Sequence, residues 1–212
     1  MTTLAIMKDR IARELRRTNI TTFIAEAIAT AIQAYQAERW HFDESRDHTF
    51  NTVANQEFYT SADASFLADL IKIDFAKLVI GVQVFTLYPD RPDTIESASS
   101  QEVMVGQPGW YVWYGMKFRL FPVPDNVYVV RIAGLYRYAA PASDSETGNF
   151  WMTDAEAVIR SRAKYELALH VLRDDGLAQT MSASTQEALS QLKRFTNKLT
   201  QGFNGRVIPM QY

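Results

Sequence analysis

The chain has no cysteine. That absence removes disulfide scaffolds, thiolate metal sites and cysteine nucleophiles together, and it suits folding in a reducing compartment. An excess of either charge is missing too: 22 Lys and Arg face 24 Asp and Glu, so a net charge of −2 gives no whole-molecule attraction to nucleic acid or to an anionic membrane. Any such binding has to be local. Long apolar runs are also lacking. MTTLAIMKDRIARELRR meets Lys8 before a secretion signal can develop. The most apolar helical stretch, FIAEAIATAI, contains Glu26 and falls well short of the roughly 20 residues that span a bilayer. The expectation is a soluble, cytoplasmically made protein with no membrane partner. No repeat of solenoid length and no low-complexity segment occurs.

What is present is apolar and aromatic: 212 residues, 47% hydrophobic and 12% aromatic, supply a genuine core. Over residues 3–17, Leu4, Met7, Ile11 and Leu15 recur at helical spacing, with Arg10, Arg13 and Arg17 on another face. Thr21 or Thr22 can cap a second helix, whose Phe23, Ile24, Ala27, Ile28, Ala31, Ile32 and Tyr35 form a broad stripe running toward Trp40. From Thr49 the period changes. HTFNTV and EFYTS, separated by Ala54-Asn55-Gln56, predict a hairpin. LVIGVQVFTLY, WYVWYG, MKFRLFPV and NVYVVRIAGLYRY then read as antiparallel strands, punctuated by turns at YPDRPD, GQPG and PVPDN. After the polar loop PASDSETGN, Thr153 and Glu156 fit a capping box and open a helix that stops at Arg173-Asp174-Asp175-Gly176. Further helix runs to about residue 200, restarted at Ser184 with Glu187 three residues on.

The predicted fold class is α+β: an antiparallel helical bundle made by the terminal segments, with an inserted antiparallel β region and an extended C-terminal tail. The helices occupy 3–40 and 153–200 and the β insertion 48–140, in a single domain over 1–201. GFNGRVIPMQY, within the tail 202–212, has two glycines and a proline and no helical period.

The sharpest chemical candidate is ERWHFDESRDH, residues 38–48, where His41 and His48 bracket Asp43, Glu44 and Asp47. Helical metal pairs need histidines three or four apart, and these are seven apart across a predicted helix end. No metal and no cofactor is expected. Carboxylate pairs for glycan cleavage exist at Asp43 with Glu44, Asp144 with Glu146 and Asp154 with Glu156, each in a turn or cap where acidic residues serve the backbone. There is no G-x-S-x-G, no P-loop and no dinucleotide fingerprint, and His170 lies inside a predicted helix in a partly buried polar role. No catalytic residue is assigned. The arginine stripe could face a partner, although Asp9 and Glu14 lie within helical reach. Trp110, Tyr111, Trp113 and Tyr114 alternate to both faces of a strand, which suits a mixture of core and subunit contact.

The order of these features resembles the head-to-tail adaptor proteins of short-tailed bacteriophages, the tail accessory or head completion factors that dock beneath the portal. The likeness rests on the helical pair ending in ERWHF, on TFNTVANQEFY, on GWYVWYGMKFRLFPVPDNVYVVRIAGLYRY, on NFWMTDAEAVIRSRAKYELALHVLRDD, and on the final helix with its tail GRVIPMQY. It implies a structural virion protein of the neck and tail rather than an enzyme. Identical subunits, twelve in this family, would form a ring that joins the portal to a tail nozzle or needle protein. The ring would extend the ejection channel, through which DNA passes unread in sequence. It implies portal contacts at Phe203, Arg206, Val207, Ile208, Pro209, Met210 and Tyr212, and Arg10, Arg13 and Arg17 are candidate intersubunit residues. ERWHFDESRDH then becomes a helix-to-strand junction anchored by Trp40 and Phe42. The runner-up is a virion-associated enzyme that degrades peptidoglycan.

Overall fold

Thr3 starts the first helix. Its Oγ1 accepts the Ile6 N–H at 3.3 Å, and α1 (Leu4–Glu14) buries Met7 and Ile11. The helix ends earlier than its apolar repeat suggests because Arg16 adopts φ +52°, the left-handed conformation that closes a helix. Arg17 therefore lies beyond it. In this computed structural model residues 2–17, 19–99 and 104–201 are described, without the side chains of Ser99 and Gln201. α2 (Thr21–Tyr35) begins without a side-chain cap, so Thr21 and Thr22 sit inside its first turn rather than before it. Its predicted stripe is buried from Ile24 to Tyr35, while Phe23 is exposed.

α4 (Glu156–Glu166) passes without a break into a π-helical turn, Leu167–Leu172. Arg173, at φ +54°, then reverses the chain. The carboxylate of Asp174 accepts the Leu177 N–H at 2.9 Å and starts α5 (Asp175–Gln201). The predicted stop is thus a tight turn, and Ser184 lies inside one continuous helix. α5 returns antiparallel to α4, with the Ser161 and Ser184 hydroxyls 3.3 Å apart. The capping box does not form. Thr153 Oγ1 instead donates to the Asn149 carbonyl at 3.2 Å, and α4 starts three residues later with no side-chain cap. Around Trp40 and Trp151, both fully buried, gather Met7, Ile11, Ile24, Ile28, Ile32, Met152, Val158, Ile159 and Leu192. The two indole N–H groups donate to the carbonyls of Tyr35 (3.0 Å) and Tyr138 (3.2 Å), so neither is left orphaned. These elements make one compact unit, Met1–Phe42 with Tyr138–Tyr212.

The second unit, Asp43–Arg137, is built on a sheet. Its strands are β1 (Glu44–Asn51), β2 (Phe58–Tyr59), β3 (Leu70–Ile80), β4 (Gln83–Pro89), β6 (Trp110–Tyr114), β7 (Lys117–Phe121) and β9 (Val129–Tyr136), in the order β1-β9-β3-β4-β6-β7-β2. A separate parallel pair joins β5 (Val105–Gly106) to β8 (Val123–Pro124). Between β4 and β5 lies a short helix, α3 (Pro92–Ser99). The sheet curls into a half-barrel. The curl brings aromatic rings of its two edges together: Phe50 of β1 packs on Tyr59 of β2 (centroids 4.9 Å apart) and on Phe118 of β7 (5.8 Å). β3 bulges twice against β9. Within that irregular stretch Gly134 lets the backbones close up, since a Cβ there would sit 2.1 Å from the Lys72 carbonyl oxygen.

The predicted fold class needs correction. The chain is not an antiparallel helical bundle of terminal segments carrying an antiparallel insertion. It is a mixed fold, with five α-helices among the described residues and a curled seven-stranded sheet with a core of its own. Two strand pairs, β4 with β6 and β5 with β8, are parallel. The expected hairpin of HTFNTV and EFYTS is absent: β1 pairs with β9 and β2 with β7, at opposite edges of the sheet. Adjacency in sequence suggested the pairing. Packing of distant aromatic residues decided it.

Candidate interaction surfaces

The ERWHFDESRDH cluster disperses on folding. Trp40 enters the helical core, and His41 turns its Nε2 to Asp154 Oδ2 at 3.0 Å among the rings of Phe42, Phe150 and Phe195. His48 belongs to the sheet, stacked on Phe66 with centroids 4.7 Å apart and tilted against Tyr136. The two imidazoles do useful packing in separate units. Among the described residues no group of three His, Cys, Asp or Glu side chains is arranged to hold a metal ion.

Asp43 is the unusual member. It is 2% exposed, and neither carboxylate oxygen has a hydrogen-bond partner. Burial, with a smaller push from Glu44, raises its pKa from 3.8 to about 8. A raised carboxyl beside a second carboxylate is the electrostatic pattern of a general acid. The geometry does not follow, because both Asp43 oxygens are sealed from solvent and a substrate has no path to the proton. The other two pairs are engaged structurally. Asp144 holds Lys8 at 2.6 Å, and Glu146 accepts the Ala142 N–H at 2.6 Å and the Asn149 amide at 3.1 Å. Those hydrogen bonds, Asn149 first, hold Glu146 below the usual carboxylate range, the opposite of a proton donor. Asp154 binds His41, and Glu156 lies between Arg10 (3.2 Å) and Arg160 (3.5 Å).

The three arginines of α1 and its end part company. Arg10 is partly buried and directed to Glu156 on α4, Arg13 is exposed and pairs with Asp9 at 2.6 Å, and Arg17 is exposed past the helix end. Glu14 makes a further link from α1 to α4, receiving Arg160 at 2.9 Å and Lys164 at 2.7 Å. Burial works to raise its pKa, but Lys164, Arg160 and Arg10 together outweigh it and leave it below the ordinary value. His170 is largely exposed on the π-helical turn, 3.3 Å from Glu166, rather than partly buried. It borders a small groove with Phe23 and Glu26 of α2.

Apolar side chains border open surface in two places, one on the helical stripe of α5 that the sequence periodicity marks and one on the sheet that it does not. Along α5, Ala188, Leu192 and Phe195 border a groove of about 250 Å³ against Asp154, Ala157 and Val158. On the sheet, Val129, Val79 and Val84 are register partners across β9, β3 and β4, which puts them in one row on one face. At the tip beside them, Val82 is 99% exposed. In the aromatic strand β6, Tyr111 is buried while Trp110 and Tyr114 face outward. The residues expected to touch the portal, Phe203, Arg206, Val207, Ile208, Pro209, Met210 and Tyr212, lie outside the described residues.

Apolar rows and grooves rimmed by paired charges are the equipment of a protein that docks on other proteins. Among the described residues no helix is long and apolar enough to cross a membrane. Residues 2–207 match the family described as SU10 adaptor protein, so the chain belongs to the SU10 adaptor family. No curated protein matches it. Membership makes the chain a structural bacteriophage adaptor of the virion neck, in a family whose work is to join portal and tail components rather than to catalyse.

Proposed function

We propose that copies of this chain form a ring, of twelve subunits as the family resemblance implies, that connects the portal vertex to a tail nozzle or needle protein and extends the DNA channel. The family match over residues 2–207 carries this reading. The exposed apolar residues support it: Val82, Val84 and Tyr114 are poorly placed in an isolated protein and well placed in one that buries surface on assembly. The tail residues Phe203, Arg206, Val207, Ile208, Pro209, Met210 and Tyr212 grip the portal, and repetition around the ring multiplies a modest contact by avidity. Arg13 and Arg17 face the neighbouring subunit, while Arg10 stays within its own. DNA crosses the ring without base contacts.

Purified chain mixed with purified portal, imaged by negative stain, tests this. Rings stacked on the portal are the expected result, lost on deletion of residues 203–212. Arg13→Glu is expected to reduce ring formation while leaving the circular dichroism of the subunit unchanged. Failure of the intact chain to associate with the portal would overturn the reading.

A further inference from the structure

The last two turns of α5 pose a problem. Leu192 is buried, but Phe195 and Leu199, which continue the apolar pattern, are 46% and 49% exposed. Phe195 meets the His41 ring in a T-shaped contact with centroids 5.1 Å apart and otherwise lines the groove between α4 and α5. One charged side chain lines that groove, Asp154, which remains 32% exposed even with His41 bound to it.

The sequence that follows α5 is GFNGRVIPMQY, and its only charged side chain is Arg206. Phe203, Val207, Ile208 and Met210 surround that arginine with apolar bulk. The groove offers one anion among apolar groups, and the segment offers one cation among apolar groups. Lengths agree as well. Phe195 lies six residues before Gln201, about 9 Å back along the helix axis. A reversal through Gly202 and Gly205, residues free to adopt left-handed turns, leaves Arg206 at the start of the return. Three extended residues then cover about 10 Å, enough to carry Val207 and Ile208 along Leu199 and Phe195 toward Leu192.

We propose that in the free protein residues 203–210 fold back along the α4/α5 groove of the same chain, with Arg206 paired to Asp154 and Val207 and Ile208 covering Phe195 and Leu199. The segment that would contact a partner is thereby sheathed until a partner competes for it, and docking uncovers the groove. This goes beyond the adaptor reading and does not depend on it, because the test uses the chain alone.

Backbone hydrogen exchange of the purified chain reads the contact. Deleting residues 203–212 should speed exchange of the amides of residues 191–201 by about threefold or more, with α2 unchanged and the circular dichroism preserved. Arg206→Glu and Ile208→Asp, both in the segment itself and so without effect on the helical core, should each reproduce most of that acceleration. The charge exchange Arg206→Glu with Asp154→Lys should restore slow exchange. Identical exchange with and without the segment overturns the proposal. Acceleration on deletion that neither point substitution reproduces also overturns it, since it would report mere fraying of the helix end. Protection that grows with protein concentration overturns the intramolecular contact in favour of a second copy as the occupant.

Discussion

Asp43→Asn gives the most direct handle on the energetics of the sheet unit. The wild-type carboxyl has its pKa raised from 3.8 to about 8, so between those values the folded state binds a proton that the unfolded chain does not. Stability must then fall as pH rises through that window, the reverse of an ion-paired carboxylate. The limiting slope is about 1.4 kcal/mol per pH unit. The whole shift would amount to about 6 kcal/mol, a large share of the roughly 5–15 kcal/mol that holds a typical domain. Over the part of that window between pH 5 and pH 8 the expected loss is about 3–4 kcal/mol. Asparagine keeps the shape and cannot ionise. Urea unfolding at pH 5, 6, 7 and 8 should therefore show a falling stability for the wild type and, relative to it, a progressive gain for the Asp43→Asn variant, largest at pH 8. Two parallel curves would refute the reasoning, because they would mean that the Asp43 carboxylate is ionised and solvated in the folded chain.

Three further outcomes follow from particular contacts. Trp40→Ala should cost about 3–5 kcal/mol, since the side chain is fully buried and its indole N–H satisfies the Tyr35 carbonyl; a shift of the urea midpoint within error would contradict its place in the core. Gly134→Ala forces a methyl group to 2.1 Å from the Lys72 carbonyl oxygen, so β9 and β3 must part and a loss of about 3 kcal/mol is expected. Thermal melting of the purified variant measures that loss, and an unchanged Tm would show that the bulge yields freely. Glu14→Gln removes the partner of Arg160 and Lys164 and should cost about 0.5–1 kcal/mol near pH 7. Because the Glu14 pKa lies below its ordinary 4.5 when folded, that difference should persist above the ordinary value and vanish as pH falls through the folded one.

How far the sequence spoke depends on whether a feature is local. The stripe of α2 was readable because one helix face meets one core, and every member from Ile24 to Tyr35 is buried. The pairing of β1 was not readable. Its partner β9 comes about eighty residues later, and the choice rests on Phe50 meeting Tyr59 and Phe118 and on three hydrogen bonds of Thr52, one through its N–H and two through its hydroxyl, with the loop before β9. The capping box failed through a local competitor. Asn149 accepts the Trp151 N–H with its side chain at 3.1 Å, and its carbonyl takes the Thr153 hydroxyl, so the turn was filled before the helix began. Phe195 and Leu199 share the spacing of Leu192, yet they stay about half exposed at the open end of the helix pair while Leu192 is buried. Periodicity reports a face and not what covers it. Asp43 stood out in the sequence as a junction carboxylate beside Glu44, but nothing in the sequence showed that it is buried. The rest of the junction was legible in outline: Trp40 and Phe42 do anchor its apolar side, Phe42 stacking on Phe150 with centroids 5.3 Å apart.

The sheet shows why an adaptor differs from a protein that works alone. Its outer strand β1 is charged along the open edge, with Glu44, Arg46 and Asp47 discouraging chance strand addition. β4 is treated differently. It pairs with β3 along 83–87 but meets β6 only at Tyr88 and Pro89, so most of its second edge has no strand partner among the described residues. Val84 lies on that stretch, and Val82 stands at its tip. No lysine or proline guards residues 82–87. In a solitary protein this is an aggregation hazard. In a subunit made to be built into an assembly, the same unguarded edge is surface held in reserve. The contrast between β1 and β4 lies within one sheet: a charged edge strand on one side and, on the other, a partly unpartnered strand carrying exposed valines.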